Sequence, residues 1–419
     1  MKVVHLNTSD FGGAAMAAIN LHIALLEQGV DSHLLTLNKT RNDIPQHAAV
    51  DPFTLRGTPL LDRLRYKARR GLEMSGLVED RSNAPANGNL KRGRGAHEIF
   101  SFPFSFFDVQ EHPLVQEADV VHLHWVGYGM IDHRRFFANC TKPIVWTLHD
   151  MNPFTAGSHH TDGDLSFREG PDRSPQLRDA GKAARYWRYK HDAVKELPQE
   201  RLKLVAPSRW LADHAERSAM FRGRTCAVVP NGFDTAVFRP QDRHAAREAL
   251  GWPQDRRIVL FNALDVDNPR KGMQFLLPAL RALGEADVQL VCVGANAAAL
   301  PADLSVLSTG YLTDPATIAR TYAAAELFVL PSLAENLPNT IAEAHLSGTP
   351  VVAFRTGGIP EQVDDANGRL AGLKDVDGLA GAIRTALGHR WDHGAIAMRA
   401  AARYDRRVVA TAYRAFYPH

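Results

Sequence analysis

Short apolar runs rich in Val, Ile and Leu alternate with helix-like segments along the chain, and this alternation limits the possible folds more than any other feature. The runs in chain order are KVVHL, HLLTL, VVHLHW, IVWTLH, LKLVAP, CAVVP, IVLFNA, VQLVCVG, LFVLPS and VVAF. Strands that are apolar along their whole length are buried on both faces, as in parallel sheets covered by helices. Between them lie helical patterns such as Ala14 to Gln28, and Gly29 stands where a helix commonly ends. The pattern predicts an α/β protein with parallel sheets.

The length of 419 residues favours two domains, because a single hydrophobic core rarely grows beyond roughly 300 residues. A new series of strands starts at Cys226, after a helical stretch. We therefore predict a first Rossmann-like domain over residues 1–208 and a second over residues 209–394. The segment 395–419 has a helical pattern, and we expect it to pack back on the first domain. The expected architecture is two Rossmann-like domains with a cleft between them.

The composition excludes several classes of protein. A hydrophobic share of 45% and a charged share of 23% fit a soluble globular protein. Three scattered cysteines, Cys140, Cys226 and Cys292, are too few for a disulfide framework and favour a reducing compartment. The N-terminus lacks the features of a signal peptide, and no apolar run approaches the roughly 18 residues of a membrane span. A net charge of +3 does not by itself indicate a nucleic-acid partner, so we expect a cytoplasmic protein that binds none.

One short stretch is strongly basic. It contains Arg56, Arg63, Arg65, Lys67, Arg69 and Arg70, interleaved with Leu60, Leu61, Leu64 and Tyr66. An amphipathic helix of this kind can contact anionic lipid, which would make the protein peripheral at the inner face of a membrane. A solvated helix face explains the same residues equally well, and the sequence leaves both interpretations open.

The segment from Pro331 to Phe354, PSLAENLPNTIAEAHLSGTPVVAF, carries the strongest functional signal. It predicts a buried strand, a loop, a helix that begins near Pro338, and a further strand. The N-terminus of a helix offers unpaired N–H groups and a partial positive charge, which suit a diphosphate. Glu335 precedes this N-terminus and Glu343 lies eight residues later, a span of at most about 12 Å along a helix axis. One carboxylate can bind a sugar and the other a ribose, with the phosphates between them.

The pair Glu-x7-Glu, followed by GTPVVAF and TGGIPEQV, resembles the signature of the large retaining GT-B family that builds bacterial polysaccharides, glycosyltransferase family 4. Further segments resemble that family in order over nearly the whole chain: FGGAAMAAINLHIALLEQGVDSHLLT, VAPSRWLADHAERS, VVPNGFDTAVFRP and NPRKGMQFLLPAL. The strings VVHLHWVG and VWTLHDMNPFTAG are typical of a narrower branch, similar to the transferases of colanic-acid and exopolysaccharide synthesis.

The resemblance implies a GT-B fold, in which two Rossmann-like domains face a central cleft. The N-terminal domain would bind the acceptor, a glycan or a lipid-linked oligosaccharide. The C-terminal domain would bind a nucleotide-diphosphate sugar, with UDP favoured over GDP. Transfer would retain the anomeric configuration and need no metal and no other cofactor.

The resemblance also assigns residues. His149 would lie beside the transferred sugar, Glu335 would contact that sugar, and Lys271 would neutralise the leaving diphosphate. The donor-binding residues would be Gly12, Gly13, Arg270, Lys271, Gly310, Tyr311, Asn336, Leu337, Pro338, Asn339, Thr340 and Glu343. At Gly12 and Gly13 the missing Cβ would let the backbone approach the donor phosphate or the acceptor.

Two departures from the family pattern stand out. The family commonly has Gly-Arg after the strand before the lysine, whereas this chain reads LFNALDVD, so Arg270 and Lys271 supply the positive charge. The narrower branch has a cysteine-bearing loop after its TLHD strand. In this chain residues 158–177 have Ser158, Asp164 and Ser174 at the corresponding positions, so a metal or disulfide staple is not expected.

Three other functions find some support. Asp162 and Asp164 imitate the Asp-x-Asp of metal-dependent transferases, but a three-residue match in a polar loop is weak. A histidine group suggests a zinc hydrolase, although no His-Glu-x-x-His string accompanies it; the group is His122, His124, His149, His159 and His160. A non-catalytic subunit with the same fold is the third alternative, and the intact candidate catalytic residues argue against it.

Overall fold

The computed structural model describes residues 1–52, 100–161, 163–171, 180–296 and 304–418, and isolated positions between residues 55 and 72. The chain divides into two compact units. Unit 1 comprises Met1–Val229 and Ala410–His419, and unit 2 comprises Pro230–Val409. Among the described helices, none is both long and apolar enough to cross a bilayer.

Unit 1 contains a seven-stranded sheet in the order β3-β2-β1-β4-β5-β6-β7, and every neighbouring pair is parallel. Its strands are β1 (Lys2–Ser9), β2 (Asp31–Asn38), β3 (His47–Ala49), β4 (Val120–Leu123), β5 (Ile144–Thr147), β6 (Leu202–Ala206) and β7 (Cys226–Val228). Its described helices are α1 (Gly13–Glu27), α2 (Pro113–Glu117), α3 (His133–Asn139), α4 (Ala180–Val194) and α5 (Arg209–Arg217).

Unit 2 contains a six-stranded parallel sheet in the order β10-β9-β8-β11-β12-β13. Its strands are β8 (Arg257–Asp265), β9 (Val288–Ala295), β10 (Val306–Gly310), β11 (Leu327–Leu330), β12 (Val351–Phe354) and β13 (Gly368–Ala371). Its helices are α6 (Arg243–Leu250), α7 (Met273–Leu283), α8 (Pro315–Ala324), α9 (Asn339–Leu346), α10 (Val376–Gly388) and α11 (His393–Tyr404), followed by α12 (Arg406–Arg414), which ends in unit 1.

Both sheets are buried on their two faces, as the continuous apolar runs predicted. Strand β8 illustrates this, because Ile258 and Leu260 belong to one hydrophobic cluster whereas Val259 and Phe261 belong to another. Successive side chains of a strand point to opposite faces, so each cluster covers one face of the sheet. The prediction of parallel α/β architecture is confirmed.

The strand order defines where ligands can bind. Each sheet reverses its order once, between β1 and β4 in unit 1 and between β8 and β11 in unit 2. Open α/β sheets bind ligands outside the carboxyl ends of the strands at such a switch point. The loops that leave these strands hold most of the candidate functional residues, whereas His149 follows β5 and Gly310 and Tyr311 stand at the end of β10.

The unit boundary differs from the predicted division after residue 208. Helix α5 and strand β7 complete the first sheet, because β7 pairs with β6 through Leu204, Val205 and Ala206. Cys226 therefore lies in the last strand of unit 1 and does not start a new series. The predicted segment 395–419 is also divided, since α11 belongs to unit 2 and residues from Ala410 onward belong to unit 1.

Candidate active site

Two loops of unit 2 meet at the switch point of its sheet. The loop after β8 carries Arg270 and Lys271 on a short 3-10 turn, and the loop after β11 carries Glu335. Glu335 Oε1 accepts hydrogen bonds from Lys271 Nζ at 2.6 Å and from Arg270 Nη1 at 3.1 Å. Arg270 Nη1 also donates to the carbonyl oxygen of Ala334 at 2.8 Å. Three residues that the sequence predicted for one site thus form one cluster.

Glycines allow the loops of unit 2 to pack closely at this point. A Cβ on Gly272 would lie 1.8 Å from the carbonyl oxygen of Pro331, and one on Gly357 would lie 1.7 Å from that of Glu335. Both glycines also have positive φ, 83° and 56° respectively. Residues with a side chain rarely adopt a positive φ, and a Cβ would also collide with a carbonyl oxygen, so glycine is required at both positions. Gly357 belongs to the TGG turn of the sequence motif. Its close packing against the carbonyl oxygen of Glu335 positions the backbone of that residue.

The N-terminus of α9 differs from those of its neighbours. Helices α6, α8, α10 and α11 each have an aspartate whose side chain accepts a backbone N–H of the first turn: Asp242, Asp314, Asp375 and Asp392. Pro338 occupies the cap position of α9, and no side-chain cap is found there among the described residues. No described side chain neutralises the partial positive charge of this helix end, and that charge suits an anion.

Glu343 lies in the second turn of α9 within a partly buried polar group. Tyr322 of α8 donates its hydroxyl to Glu343 Oε2 at 2.9 Å, and Asn262 of β8 donates its amide to the same hydroxyl at 2.9 Å. Burial raises the pKa of Glu343 from 4.5 to about 7, although the Tyr322 hydrogen bond opposes the shift. The sequence did not indicate Asn262 or Tyr322, because a single asparagine or tyrosine carries no motif.

The remaining predicted residues of unit 2 occupy two places. Asn336, Leu337 and Pro338 are buried in the segment between Glu335 and α9, and Asn339 and Thr340, partly exposed, open that helix. Gly310 and Tyr311 stand at the end of β10, which β9 separates from β8. Tyr311 is 54% exposed, so it stands at the periphery of this arrangement.

Gly12 and Gly13 lie in unit 1 after β1, one of the two strands at the switch point of that sheet. Gly12 is the N-cap of α1, has a φ of 88° and leaves the helix without a side-chain cap among the described residues. A Cβ built on Gly12 meets nothing within 4 Å. The backbone conformation therefore explains the glycine, whereas crowding by the protein itself does not.

His149 follows β5 in unit 1 and is joined to two other histidines. His149 Nε2 lies 3.2 Å from His124 Nδ1, and His124 Nε2 lies 3.0 Å from His5 Nδ1. Burial lowers the pKa of His149 to about 4 and lowers the pKa values of His5 and His124 well below their ordinary range. All three rings are therefore neutral near pH 7. The sequence pointed to His124 only as a member of a zinc-like group, and it did not indicate His5.

The same region could in principle hold a metal ion. Donor atoms of His5, His122 and His124 all lie within 4.8 Å of one another. Both ring nitrogens of His122 are already hydrogen-bonded, Nδ1 to Tyr417 and Nε2 to Thr147, each at 2.8 Å. The rings of His122 and His124 also stack at 4.2 Å. Metal binding would break these contacts, so the arrangement fits a hydrogen-bonded core better than a ligand set.

The loop after His149, which lacks the cysteines of the narrower branch, is tied by polar contacts. Asp150 Oδ2 accepts hydrogen bonds from His159 Nδ1 at 2.6 Å and from Trp125 Nε1 at 2.9 Å. Burial would raise the pKa of Asp150, but His159 holds it at about 2. Ser158 is buried in this loop, whereas Asp162 and Ser174 lie outside the described residues.

Comparison with known proteins agrees with these observations. Residues 11–237 match the family described as Glycosyltransferase Family 4, and residues 255–389 match Glycosyl transferases group 1. The chain is 29% identical over 390 residues to the D-inositol 3-phosphate glycosyltransferase of Mycobacterium tuberculosis, covering 82% of this chain and 74% of that protein.

Solved structures resemble the fold over almost the full length. Sucrose-phosphate synthase from Thermosynechococcus elongatus matches with a TM-score of 0.66 and 17% identity, over 99% of this chain and 97% of that chain. Anabaena HepE in complex with UDP and glucose matches with a TM-score of 0.65 and 18% identity, over 99% and 98% of the two chains.

The two Rossmann-like units and these structural matches define a GT-B fold, and the sequence matches define a glycosyltransferase that uses nucleotide sugars. The family match extends over more than half of the chain. The protein belongs to glycosyltransferase family 4.

Proposed function

We propose that the protein transfers a sugar from a UDP-sugar to a glycan or lipid-linked acceptor, with retention of the anomeric configuration and without a metal, in bacterial polysaccharide synthesis. One observation carries the proposal. Arg270 and Lys271 contact Glu335, and Glu335 lies shortly before α9, a helix that bears Glu343 and has no side-chain cap in the part of the chain that the structure describes. This order of groups suits a sugar, a diphosphate and a ribose. The resemblance to polysaccharide-building transferases supports the acceptor class.

The cluster accounts for donor binding in terms of charge. Without a ligand, the Glu335 carboxylate partly neutralises Arg270 and Lys271. A diphosphate also accepts charge-assisted hydrogen bonds and carries more negative charge than one carboxylate, so it can compete for these cations and release Glu335 to bind a sugar hydroxyl. Both cations come from the loop after β8, and together they can supply the charge that the family's usual arginine provides.

The chemistry we propose is a displacement at the anomeric carbon. The bond from that carbon to the diphosphate oxygen breaks, and a bond to the acceptor oxygen forms on the same face. The acceptor proton passes to the departing phosphate oxygen, so no protein base is required. Lys271, Arg270 and the N-terminus of α9 stabilise the charge that develops on the diphosphate, and His149 hydrogen-bonds the transferred sugar. Gly12 and Gly13 provide a further helix end, without a side-chain cap from any described residue, for the donor or the acceptor.

UDP is favoured over GDP by the similarity to HepE, which was solved with UDP and with UDP-glucose. The name of the mycobacterial relative makes D-inositol 3-phosphate the alternative acceptor. A thermal-shift panel of UDP-, GDP- and ADP-sugars tests the donor, because a ligand that binds the native state raises the melting temperature. We expect the UDP-sugars to stabilise most. A larger shift with a GDP-sugar would refute the UDP assignment, and no shift with any donor would favour a non-catalytic subunit.

Metal independence is tested with the donor found in that panel. We expect EDTA to leave the transfer rate unchanged, because cations and a helix end replace the metal in holding the phosphates. Proton NMR of the product gives the anomeric configuration, and inversion would exclude the retaining mechanism. A rate that falls with EDTA and returns with Mn²⁺ would favour Asp162 and Asp164, of which Asp162 lies outside the described residues.

We also propose peripheral contact with anionic membranes through the basic stretch. Leu60, Leu61 and Leu64 are 71%, 64% and 55% exposed, and Arg65 and Lys67 are exposed beside them. Arg63, Arg69 and Arg70 lie outside the described residues. Each basic residue near such a surface contributes about 1 kcal/mol.

Vesicle co-sedimentation at low salt tests this contact. We expect vesicles containing phosphatidylserine to bind the wild type. The double variant Arg65→Glu with Lys67→Glu should bind markedly less. The same charge change at the exposed residues Lys374 and Arg390 of unit 2 is the matched control. Equal binding by the two double variants would refute the proposed contact.

A further inference from the structure

A continuous chain of hydrogen bonds joins the candidate catalytic histidine to the core of unit 1. His5 on β1 is paired in register with His122 on β4, and His124 is the residue directly after β4, two positions beyond His122 and on the same side of the extended chain. His124 thereby bridges His5 and His149, with nitrogen–nitrogen distances of 3.0 Å and 3.2 Å. The last atom of the chain, His5 Nε2, is buried and has no hydrogen-bond partner among the described residues.

Such a chain allows only two arrangements of its protons. A neutral imidazole has one N–H donor and one bare acceptor nitrogen, and the bond made by one nitrogen sets the role of the other. If His149 donates from Nε2, then His124 donates to His5, and His5 Nε2–H is a buried donor without an acceptor. If the direction is reversed, His5 donates to His124, His124 donates to His149, and His5 Nε2 is a bare acceptor.

The second arrangement costs less free energy at the buried nitrogen, His5 Nε2. Buried backbone N–H groups without an acceptor are very rare in proteins, and unpaired backbone acceptors are less so; we apply the same preference to the ring nitrogen of His5. His149 Nε2 then accepts the bond from His124, and the proton of His149 is on Nδ1. His149 can consequently offer a donor from only one of its two nitrogens.

We propose that His5 and His124 are positioning residues that hold His149 as its Nδ1–H tautomer, so that this N–H is the donor presented to a hydroxyl of the bound sugar. The tautomer is inferred from the contacts of His5, His124 and His149. Its use in transfer rests on the proposed function. These two parts are tested separately.

NMR tests the tautomer without any assay of activity. Long-range proton–nitrogen spectra of protein labelled with ¹⁵N-histidine distinguish Nδ1–H from Nε2–H in each neutral ring. The signals of His149 are those missing from His149→Gln, a change at a partly exposed position. We expect the Nδ1–H pattern for His149 in the wild type at pH 7.5. An Nε2–H pattern, or a mixture of both tautomers, would overturn the proposal.

Kinetics tests the positioning role. His124→Phe removes the donor to His149, whereas His124→Asn keeps an N–H near the same position. We expect kcat to fall about 10- to 100-fold in His124→Phe, by analogy with the loss when hydrogen-bond partners of metal-binding histidines are removed, and to recover largely in His124→Asn. The KM for the donor should change little, because the ribose and phosphate contacts lie in unit 2.

His122→Phe is the matched control for burial and ring replacement. His122 lies on β4, two residues before His124, and stacks on it, but its nitrogens bond to Tyr417 and Thr147 and not to His149. We expect its kcat to stay within about twofold of the wild type, given an unchanged circular-dichroism spectrum. Equal losses in His122→Phe and His124→Phe would refute the positioning role. Loss of kcat in His149→Gln together with an Nε2–H pattern in the wild type would refute only the tautomer and leave the proposed function intact.

Discussion

At the scale of single residues, the carboxylate of Glu343, which we propose binds the donor, has a cost in stability. Burial raises its pKa from 4.5 to about 7, so the folded state binds a proton more tightly than the unfolded state. A raised pKa gives stability that is complete below pH 4.5 and is lost as the pH rises towards 7 and above. The loss at pH 8 is at most roughly 3 kcal/mol, from 1.36 kcal/mol per pKa unit.

We therefore predict that Glu343→Gln raises the melting temperature relative to the wild type at pH 8 and changes it little at pH 5. Scanning calorimetry of ligand-free protein at both pH values measures the difference. Glu361→Gln, in the same unit, is a control for removal of a carboxylate. A Glu343→Gln variant that is less stable than the wild type at pH 8 would contradict the raised pKa.

Glu335 and Glu343 should also differ in their kinetic effects. Glu335 is proposed to contact the transferred sugar, where charge and ring shape change on the way to the transition state. Its change to Gln should lower kcat and kcat/KM together. Glu343 is proposed to bind ribose hydroxyls, which are the same before and during the reaction, so Glu343→Gln should chiefly raise the KM for the donor. Hydrogen bonds to a charged group are worth about 1.5–3 kcal/mol each, so the rise should be at least about tenfold.

Steady-state kinetics over donor concentration separates the two effects. Near-normal kinetics in both variants would show that α9 is structural and that the site assignment is wrong. The sequence could indicate both glutamates because they belong to a spaced motif. It could not indicate Asn262 and Tyr322, because the hydrogen bonds from Tyr322 to Glu343 and from Asn262 to Tyr322 depend on the packing of β8, α8 and α9.

At the scale of secondary-structure elements, the TGG turn holds the segment that carries Glu335. A Cβ on Gly357 would meet the carbonyl oxygen of Glu335 at 1.7 Å, and φ is 56°. We predict that Gly357→Ala moves Glu335 and lowers kcat/KM at least tenfold, since displacement of a reacting group by about 1 Å can cost 100-fold. Gly251→Ala is the matched control, because φ is 68° but nothing lies within 4 Å of its Cβ.

Gly251→Ala introduces the backbone strain of an alanine at positive φ, but its Cβ does not collide with another atom. Its cost should be about 1–2 kcal/mol of stability, and kcat/KM should be unchanged. Activity of Gly357→Ala equal to that of Gly251→Ala would show that the turn does not position Glu335. The two variants are compared in the same donor titration after a check of their melting temperatures.

The elements of the motif from Pro331 to Phe354 follow the sequence closely, because an apolar strand, a Pro-bearing loop and a helix of regular spacing each have a local cause. Strand β7 has no such local cause in the sequence. Its three residues look like the start of a new domain, and only their pairing with β6 assigns them to the first sheet. Pairing between distant segments is a property of the folded chain, which local pattern does not determine.

At the scale of the whole molecule, the last residues of the chain complete the first unit. The helical pattern of segment 395–419 indicated helices, but the change from unit 2 to unit 1 occurs within it, at Ala410. The cause is the burial of two tyrosines. Tyr413 and Tyr417 are 3% and 2% exposed, and their hydroxyls bond to Thr147 on β5 and His122 on β4. The residues that these contacts join lie far apart in the sequence.

We predict that the double variant Tyr413→Ala with Tyr417→Ala destabilises unit 1 and leaves unit 2 unaffected. Each truncation of a buried aromatic ring costs about 3–5 kcal/mol, and Thr147 and His122 also lose hydrogen-bond partners. Hydrogen–deuterium exchange measured by peptide should show faster exchange in β4 and β5 and unchanged exchange in β8 and β11. Met398→Ala, at a side chain that is 71% exposed on α11, controls for truncation of a large side chain nearby in sequence and should leave exchange unchanged throughout. Equal acceleration in both sheets would mean that the two units unfold as one, and acceleration confined to unit 2 would show that the tail belongs there.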